Sequence, residues 1–347
     1  MVNAVQSAAA GTIDVGRRAT RVFMHGPRRY WILFSIITAL GLLCAFGLLA
    51  YGNPLEVGTR GWWLIAQRRA SAVTAMAVVA WCQAIATVAF QTVTNNRILT
   101  PSIMGFESLY RLIHTSTIFF LGTYGFFSAD NLRMFVLQLV LMVGLSLVLY
   151  SWLLTSKNSN MHAMLLIGIV IGGGLGSLTT FMQRLLTPSE FDVLTARMFG
   201  SVNNADPSYY PLAIPLVLAA GMTVLALSRK LNVLSLGREA AANLGVNHKT
   251  YSVLILVMVS ILIATSTALV GPMTFLGFLV ATLAYQAAGT YDHRYIFPMA
   301  LSLGFFVLTC AYFVMNHIFY AQGAVSIIIE LVGGCVFLLV LLKKGRL

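Results

Sequence analysis

Residues Ser235 to Tyr251 read SLGREAAANLGVNHKTY, a polar, alanine-rich stretch set between two long apolar runs. The pattern predicts a short helix that begins and ends in water. Ser235 can serve as N-cap, Glu239 sits near the positive end of the helix, and Ala240, Ala241 and Ala242 are the strongest helix formers. Gly245 after Leu244 is a natural stop, and Asn247 can cap the helix that follows. Leu231, Leu234, Leu236 and Leu244 supply apolar knobs, and the segment is longer than a plain connection between neighbouring spans requires. Such an element suits a partner outside the membrane better than a cover over the end of a bundle.

The remainder of the chain is made for lipid. Of its 347 residues, 59% are hydrophobic and 9% charged, with a mean hydropathy of +0.85; soluble domains carry about 25% charged residues. Apolar runs of about 18 residues or more recur, which predicts an all-α integral membrane protein and not a barrel. Ten spans are expected. The first five lie near Trp31–Tyr51, Ala70–Phe90, Met104–Leu121, Met134–Leu154 and Ala163–Leu186. The other five lie near Tyr210–Leu227, Tyr251–Val270, Met273–Ala287, Ile296–Asn316 and Val325–Leu342. The third and eighth are short, as suits helices packed inside protein.

Residues 1–29 are polar and arginine-rich and read as a cytoplasmic tail, with 30–347 forming one membrane domain. An even span count with both termini inside places most Lys and Arg in inner loops and tails. The net charge of +12 is therefore topology information and not a sign of nucleic acid. Arg60, Arg68 and Arg69 fall on the outer side and break that pattern.

Cys44, Cys82, Cys310 and Cys335 lie in apolar runs without metal-ligand spacing, and the six histidines are scattered. No metal site is expected. No glycine is followed by lysine, so a Walker A loop is absent and any ATP must be hydrolysed by another polypeptide. Gly168, Gly172 and Gly176 form a smooth helix face for close packing or for a moving surface. Glu107 and Glu330 lie in or beside apolar runs, where a charge is expensive and usually faces a cavity or a partner such as Arg111.

Four stretches together resemble one family. LNVLSLGREAAANLGV (Leu231–Val246) looks like the coupling-helix segment of the iron-siderophore and cobalamin permeases of ABC importers. GPMTFLGFLVATLAYQAAGTYDHRYIFP (Gly271–Pro298), the closing LLKKGRL and FQTVTNNRILTPSIMGFES (Phe90–Ser108) are similar to further segments of that family. The resemblance covers roughly residues 60 to 347 and is strongest in the C-terminal third.

It implies a cobalamin-importer-permease-like bundle of ten helices per subunit in the bacterial plasma (inner) membrane. Two permease subunits would form the path, two ATPase subunits would dock beneath them, and a soluble periplasmic protein or lipoprotein would deliver the cargo. By the same resemblance the coupling helices, about 235–247, would present Gly237, Arg238, Glu239, Ala240, Ala241, Leu244 and Gly245 to a cleft on the ATPase. Arg69 and Arg68, with Arg60 aligning less cleanly, would meet acidic residues of the binding protein, or else anchor at the interface by snorkelling. Asn96 would sit near a cytoplasmic gate, or cap a short loop. Three positions depart from the family pattern: Arg97 stands for a proline, Glu107 for a small residue and Glu330 for a small or neutral one.

The expected function is the permease subunit of an ATP-driven importer of a ferric siderophore, similar to the branch that handles ferric catecholates. That branch commonly pairs two different permease chains. This chain is expected to bind no cofactor itself, with ATP and Mg on the partner. Haem or cobalamin as cargo, and a proton-coupled carrier using Glu107 and Glu330, remain as alternatives. An intramembrane enzyme would need a nucleophile–base or metal constellation, and none is visible.

Overall fold

The computed structural model describes residues 26–52, 56, 58–129, 132–155, 161–319 and 325–344. Among these the regular structure is helical, without a strand. Helices α1 (Pro27–Ala50), α2 (Arg60–Val93), α3 (Phe106–Ala129), α4 (Leu132–Thr155) and α5 (Met161–Gln183) make up the first half. A short α6 (Pro188–Met198) precedes α7 (Tyr210–Ala226), α8 (Ser228–Leu234) and α9 (Arg238–Asn243). The chain closes with α10 (His248–Val270), α11 (Thr274–Ala288), α12 (His293–His317) and α13 (Val325–Lys344).

Each of the ten expected apolar stretches coincides with one helix: α1 to α5, α7, and α10 to α13. Six of them, α1, α2, α5, α7, α10 and α12, are long and apolar enough to cross a membrane. Apolar portions of α4 and α13, and the whole of α11, are shorter. In α3 the backbone is broken at Gly122, whose φ is 64°. Of the predicted tail, residues 1–25 lie outside the described residues, and Pro27 to Arg29 already belong to α1.

Two differences from expectation have physical reasons. Helix α2 begins at Arg60 and not near Ala70, because the Thr59 hydroxyl accepts from the Trp62 amide and starts the helix before its apolar part begins. Hydropathy marks only the lipid-facing length of a helix. Helix α6 was not expected, although it opens on a complete capping box, with Thr187 and Glu190 each holding the other's backbone N–H. Its mean apolarity is too low to register as a span.

Helices α2 and α10 form the centre. Burial covers 78% of the apolar window of α2 and 67% of that of α10, against 17% for α1, which lies at the periphery. Neighbouring helices approach where side chains are small. The glycine face of α5 packs on the start of α3: a Cβ at Gly172 would lie 3.2 Å from Gly105 Cα, and one at Gly176 would lie 3.9 Å from Ser108 Oγ. Ordinary close packing therefore accounts for that stripe. Between α2 and α7, the Trp81 indole donates to the Val217 carbonyl at 2.9 Å and fills the space beside Gly221.

A Cβ at Gly221 would collide with the Trp81 ring. Gly221→Val is expected to destabilise the bundle by about 1–3 kcal/mol, the usual cost of overpacking. A lower melting temperature in detergent is the readout, and an unchanged one would contradict this packing.

Candidate functional site

The water-facing helix begins later than expected. Ser235 closes α8 instead of opening α9: its Oγ donates to the Asn232 carbonyl at 2.8 Å, so the N-cap passes to Gly237 with φ 92°. The far end of α9 is a complete Schellman closure. The Val246 amide donates to Ala241 O at 2.9 Å and the Gly245 amide to Ala242 O at 3.0 Å, with Gly245 at φ 73°. Asn247 then caps α10, its Oδ1 accepting from Thr250 N at 3.2 Å, as the sequence suggested. A glycine at each end and satisfied backbone between them make α9 a short rigid rod.

The four leucines divide into two pairs. Leu231 and Leu234 are buried, while Leu236 and Leu244 are 62% and 60% exposed on either side of α9. Ala241 and Val246 are buried and hold the rod against α8 and α10. Arg238, Glu239, Leu244 and Gly245 are exposed, and Gly237 and Ala240 are half-buried. Of the residues predicted to meet a partner, Ala241 alone is turned inward.

Beside this rod lies a polar node that sequence reasoning did not identify. The Asn232 Nδ2 donates to Asp292 Oδ1 at 2.9 Å, and the Asn232 Oδ1 accepts from the His293 backbone N–H at 3.0 Å. The His293 ring bridges Asn232 Oδ1 (Nδ1, 2.5 Å) and Thr92 Oγ1 (Nε2, 2.6 Å). Burial opposes the charge of Asp292, but bonds from Arg294, Asn232 and the Arg294 amide outweigh it and hold its carboxyl down at about 2. Asn232 lies in the stretch Leu231–Val246 and His293 in Gly271–Pro298, and local pattern marks neither as a site residue. Local sequence carries no signal for the pairing, since Asn232 stands in SRKLNVLS and His293 in TYDHRY, both polar neighbourhoods.

Thr92 stands in the last turn of α2, next to the predicted gate residue. That end too is a Schellman closure, with Asn95 at φ 49°. Asn96 Oδ1 accepts from Ile98 N at 3.0 Å, so this oxygen is engaged in shaping the turn. Arg97 lays its guanidinium over the Tyr285 and Tyr291 rings at 4.5 and 5.0 Å, and its carbonyl takes a bond from Gln91. These contacts explain how the chain accommodates an arginine where a proline was expected.

Glu107, at the start of α3, comes together with Glu330 on α13 and Arg111 one turn further along α3. Thr274 donates to Glu107 Oε2 at 2.9 Å, and the buried Oε1 has no hydrogen-bond partner. Arg111 and Glu330 lie within electrostatic reach of Glu107, yet among the described residues neither carboxylate is close enough to Arg111 for an ion pair. Arg111 also lines a cavity of about 570 Å³ with Ser108, Gly176 and Arg184.

Arg60, Arg68 and Arg69 all ride on the first turns of α2, at the opposite end from Asn96. Arg60 and Arg68 are exposed. Arg69 turns inward and closes the C-terminus of α1, donating to Tyr51 O at 2.8 Å, Gly52 O at 3.1 Å and Leu48 O at 3.3 Å. Arg68 and Arg69 line a cavity of about 670 Å³ with Asn203, Tyr312, Asn316 and His317.

A helical bundle with a capped external rod at one end narrows the identity, and a match to the FecCD transport family over residues 26–343 decides it. The chain belongs to the FecCD transport family. It is accordingly a permease subunit of an ABC importer and not an enzyme, and ATP hydrolysis resides in a separate subunit. The chain is 53% identical to the petrobactin import system permease protein FatC of Bacillus anthracis, over 92% of this chain and 90% of that protein. It is 38% identical to the petrobactin import system permease protein YclO of Bacillus subtilis (strain 168), covering 88% and 98%. An inward-facing structure described as a metal-chelate type ABC transporter superposes with a TM-score of 0.75 over 90% of this chain and 99% of that one. At 22% identity that likeness speaks for the fold.

Two outcomes follow from the geometry. Arg69→Ala leaves the carbonyls at the end of α1 without their cationic partner and is expected to cost on the order of 1 kcal/mol; Arg68→Ala, made in parallel, should leave the melting temperature unchanged. The depressed carboxyl of Asp292 adds stability above its ordinary value of 3.8 and loses it as pH falls towards about 2. The melting difference between the native chain and Asp292→Asn should therefore shrink across that window, and a difference constant with pH would contradict it.

Proposed function

We propose that this chain carries a ferric siderophore across the bacterial plasma membrane, crossing it ten times with both termini in the cytoplasm. The capped rod α9 is the coupling helix. The observation that carries this reading is the exposed Leu236–Leu244 pair on a rod fixed at both ends, too polar for lipid and too apolar for water alone. A cleft on an ATPase subunit suits such a surface, with the leucines as buried anchors and Arg238 and Glu239 setting orientation.

Two ATPase subunits dock on two permeases, and nucleotide with its magnesium stays on them. The second permease is a different chain of the same family, as in the branch this sequence resembles. A soluble binding protein delivers the cargo to the outer face, where Arg60 and Arg68 steer its approach while Arg69 holds the surface in shape. The names of the two Bacillus relatives support a siderophore as cargo. Asn96 shapes the turn at the inner mouth, and Glu107 and Glu330 face the path.

Glu239→Arg combined with Leu244→Arg tests the rod. Co-purification of the ATPase subunit and cargo uptake into vesicles should each fall at least about tenfold, the effect of losing ~1.4 kcal/mol at the contact. Expression and melting temperature should stay as they are, since both side chains are exposed. Uptake at the native rate with this double substitution would refute the assignment.

A further inference from the structure

We infer that Asn232, His293 and Thr92 form a hydrogen-bonded linkage that carries the displacement of α9 to the closed end of α2. Asn232, His293 and Thr92 are thus positioning residues of transport; the inference rests on the coupling role proposed for α9. Helix α9 packs on α8 and α10, and α8 packs in turn on α2 and α12. A push on the rod therefore reaches the bundle through α8 as well as along α10. The contact of α8 with the bundle has an apolar part, Leu231 and Leu234, and a polar part, Asn232.

The two parts behave differently under load. Apolar contact is non-directional and tolerates sliding, whereas hydrogen bonds weaken steeply with distance and angle. The amide of Asn232 has a fixed orientation, because the Asp292 carboxylate can only accept and the His293 N–H can only donate. That orientation obliges Nδ1 of the buried His293 ring to donate to Asn232 and leaves Nε2 an acceptor, so the Thr92 hydroxyl donates to the ring at 2.6 Å in preference to the Val88 carbonyl, 2.9 Å away. Asp292 is itself fixed as the N-cap of α12, its Oδ1 accepting from the Arg294 backbone N–H at 3.0 Å, so the outer side of the node moves with α12. Arg97 is the other charged group facing the ring, and its guanidinium is already seated on Tyr285 and Tyr291.

Thr92 is one turn from the Asn95–Arg97 closure, and the neighbouring Gln91 bonds the Arg97 carbonyl at 2.7 Å across it. Displacing α8 consequently moves the turn that holds Asn96. The linkage joins three elements distant in sequence, α8, α12 and α2, through one imidazole.

Thr92→Val keeps the shape and removes the hydroxyl, while Thr92→Ser restores it. Each variant, assembled with its ATPase and binding protein in vesicles, is assayed for ATP hydrolysed and ferric siderophore taken up in the same sample. Thr92→Val is expected to hydrolyse ATP within about twofold of the native complex but to import about fivefold less cargo per ATP, as one lost hydrogen bond allows; Thr92→Ser should recover the native ratio. A native ratio in Thr92→Val, a parallel loss of both activities, or a Thr92→Ser as defective as Thr92→Val would overturn the inference.

Spin labels at the exposed Asn243 and at Ile98, just beyond the α2 closure, after replacement of the native cysteines, keep the test independent of Thr92 variants that fail to fold. ATP should shift both sites together, and movement at Asn243 with none at Ile98 would also overturn it. The Glu239→Arg, Leu244→Arg chain run beside them separates the two ideas. Uncoupling there with a native Thr92→Val ratio removes the linkage alone, whereas native uptake there removes the coupling role and the linkage with it.

Discussion

In hydrocarbon, a backbone N–H or C=O finds no partner except within its own helix, and each one left open costs several kcal/mol. This constraint makes every lipid-facing element of the chain helical and concentrates its difficult chemistry at helix ends. The ends are where named side chains matter. Arg69 takes the last carbonyls of α1, Asn95 closes α2, and Gly245 with Val246 closes α9. Asn247 and Asp292 open α10 and α12. Several of the residues argued to bear on function are therefore also closing groups. A helix end that must be capped is a ready place for a polar side chain in a molecule with few of them.

The apolar helices were legible because lipid imposes a simple demand on composition. All ten predicted stretches fall on helices, and the Asn247 cap and the stop at Gly245 were read correctly from local rules. What escaped was set by tertiary contact. Ser235 satisfies every local preference for an N-cap, yet the carbonyl of Asn232 claims its hydroxyl. Arg69 reads as a docking or anchoring residue, and its bonds to the open end of α1 become visible only in the fold. Asn232, His293 and Thr92 are far apart in the chain, so no window on the sequence could bring them together. The start of α2 escaped for another reason, since hydropathy registers apolar length and not helix length.

The three departures from the family pattern have unequal structural accounts. Arg97 is accommodated by a pair of tyrosine rings that replace the rigidity of proline with stacking. Glu107 is half-accommodated, one oxygen bonded to Thr274 and the other without a partner. Glu330 lies within electrostatic reach of Arg111, and nothing further in the structure explains it.

Helix α2 has one more consequence. Its 34 residues extend about 51 Å at 1.5 Å per residue, against a hydrocarbon layer about 30 Å thick. Tilting at ordinary angles shortens this only slightly. Roughly two-fifths of the helix must stand outside the oil, and Trp62 and Trp63 mark its emergent portion. The arginines on that mast are held at a height fixed by helical rise, while the headgroup plane around them moves with lipid composition. Bilayer thickness thus becomes a variable in how far the arginine-bearing end of this subunit reaches into water.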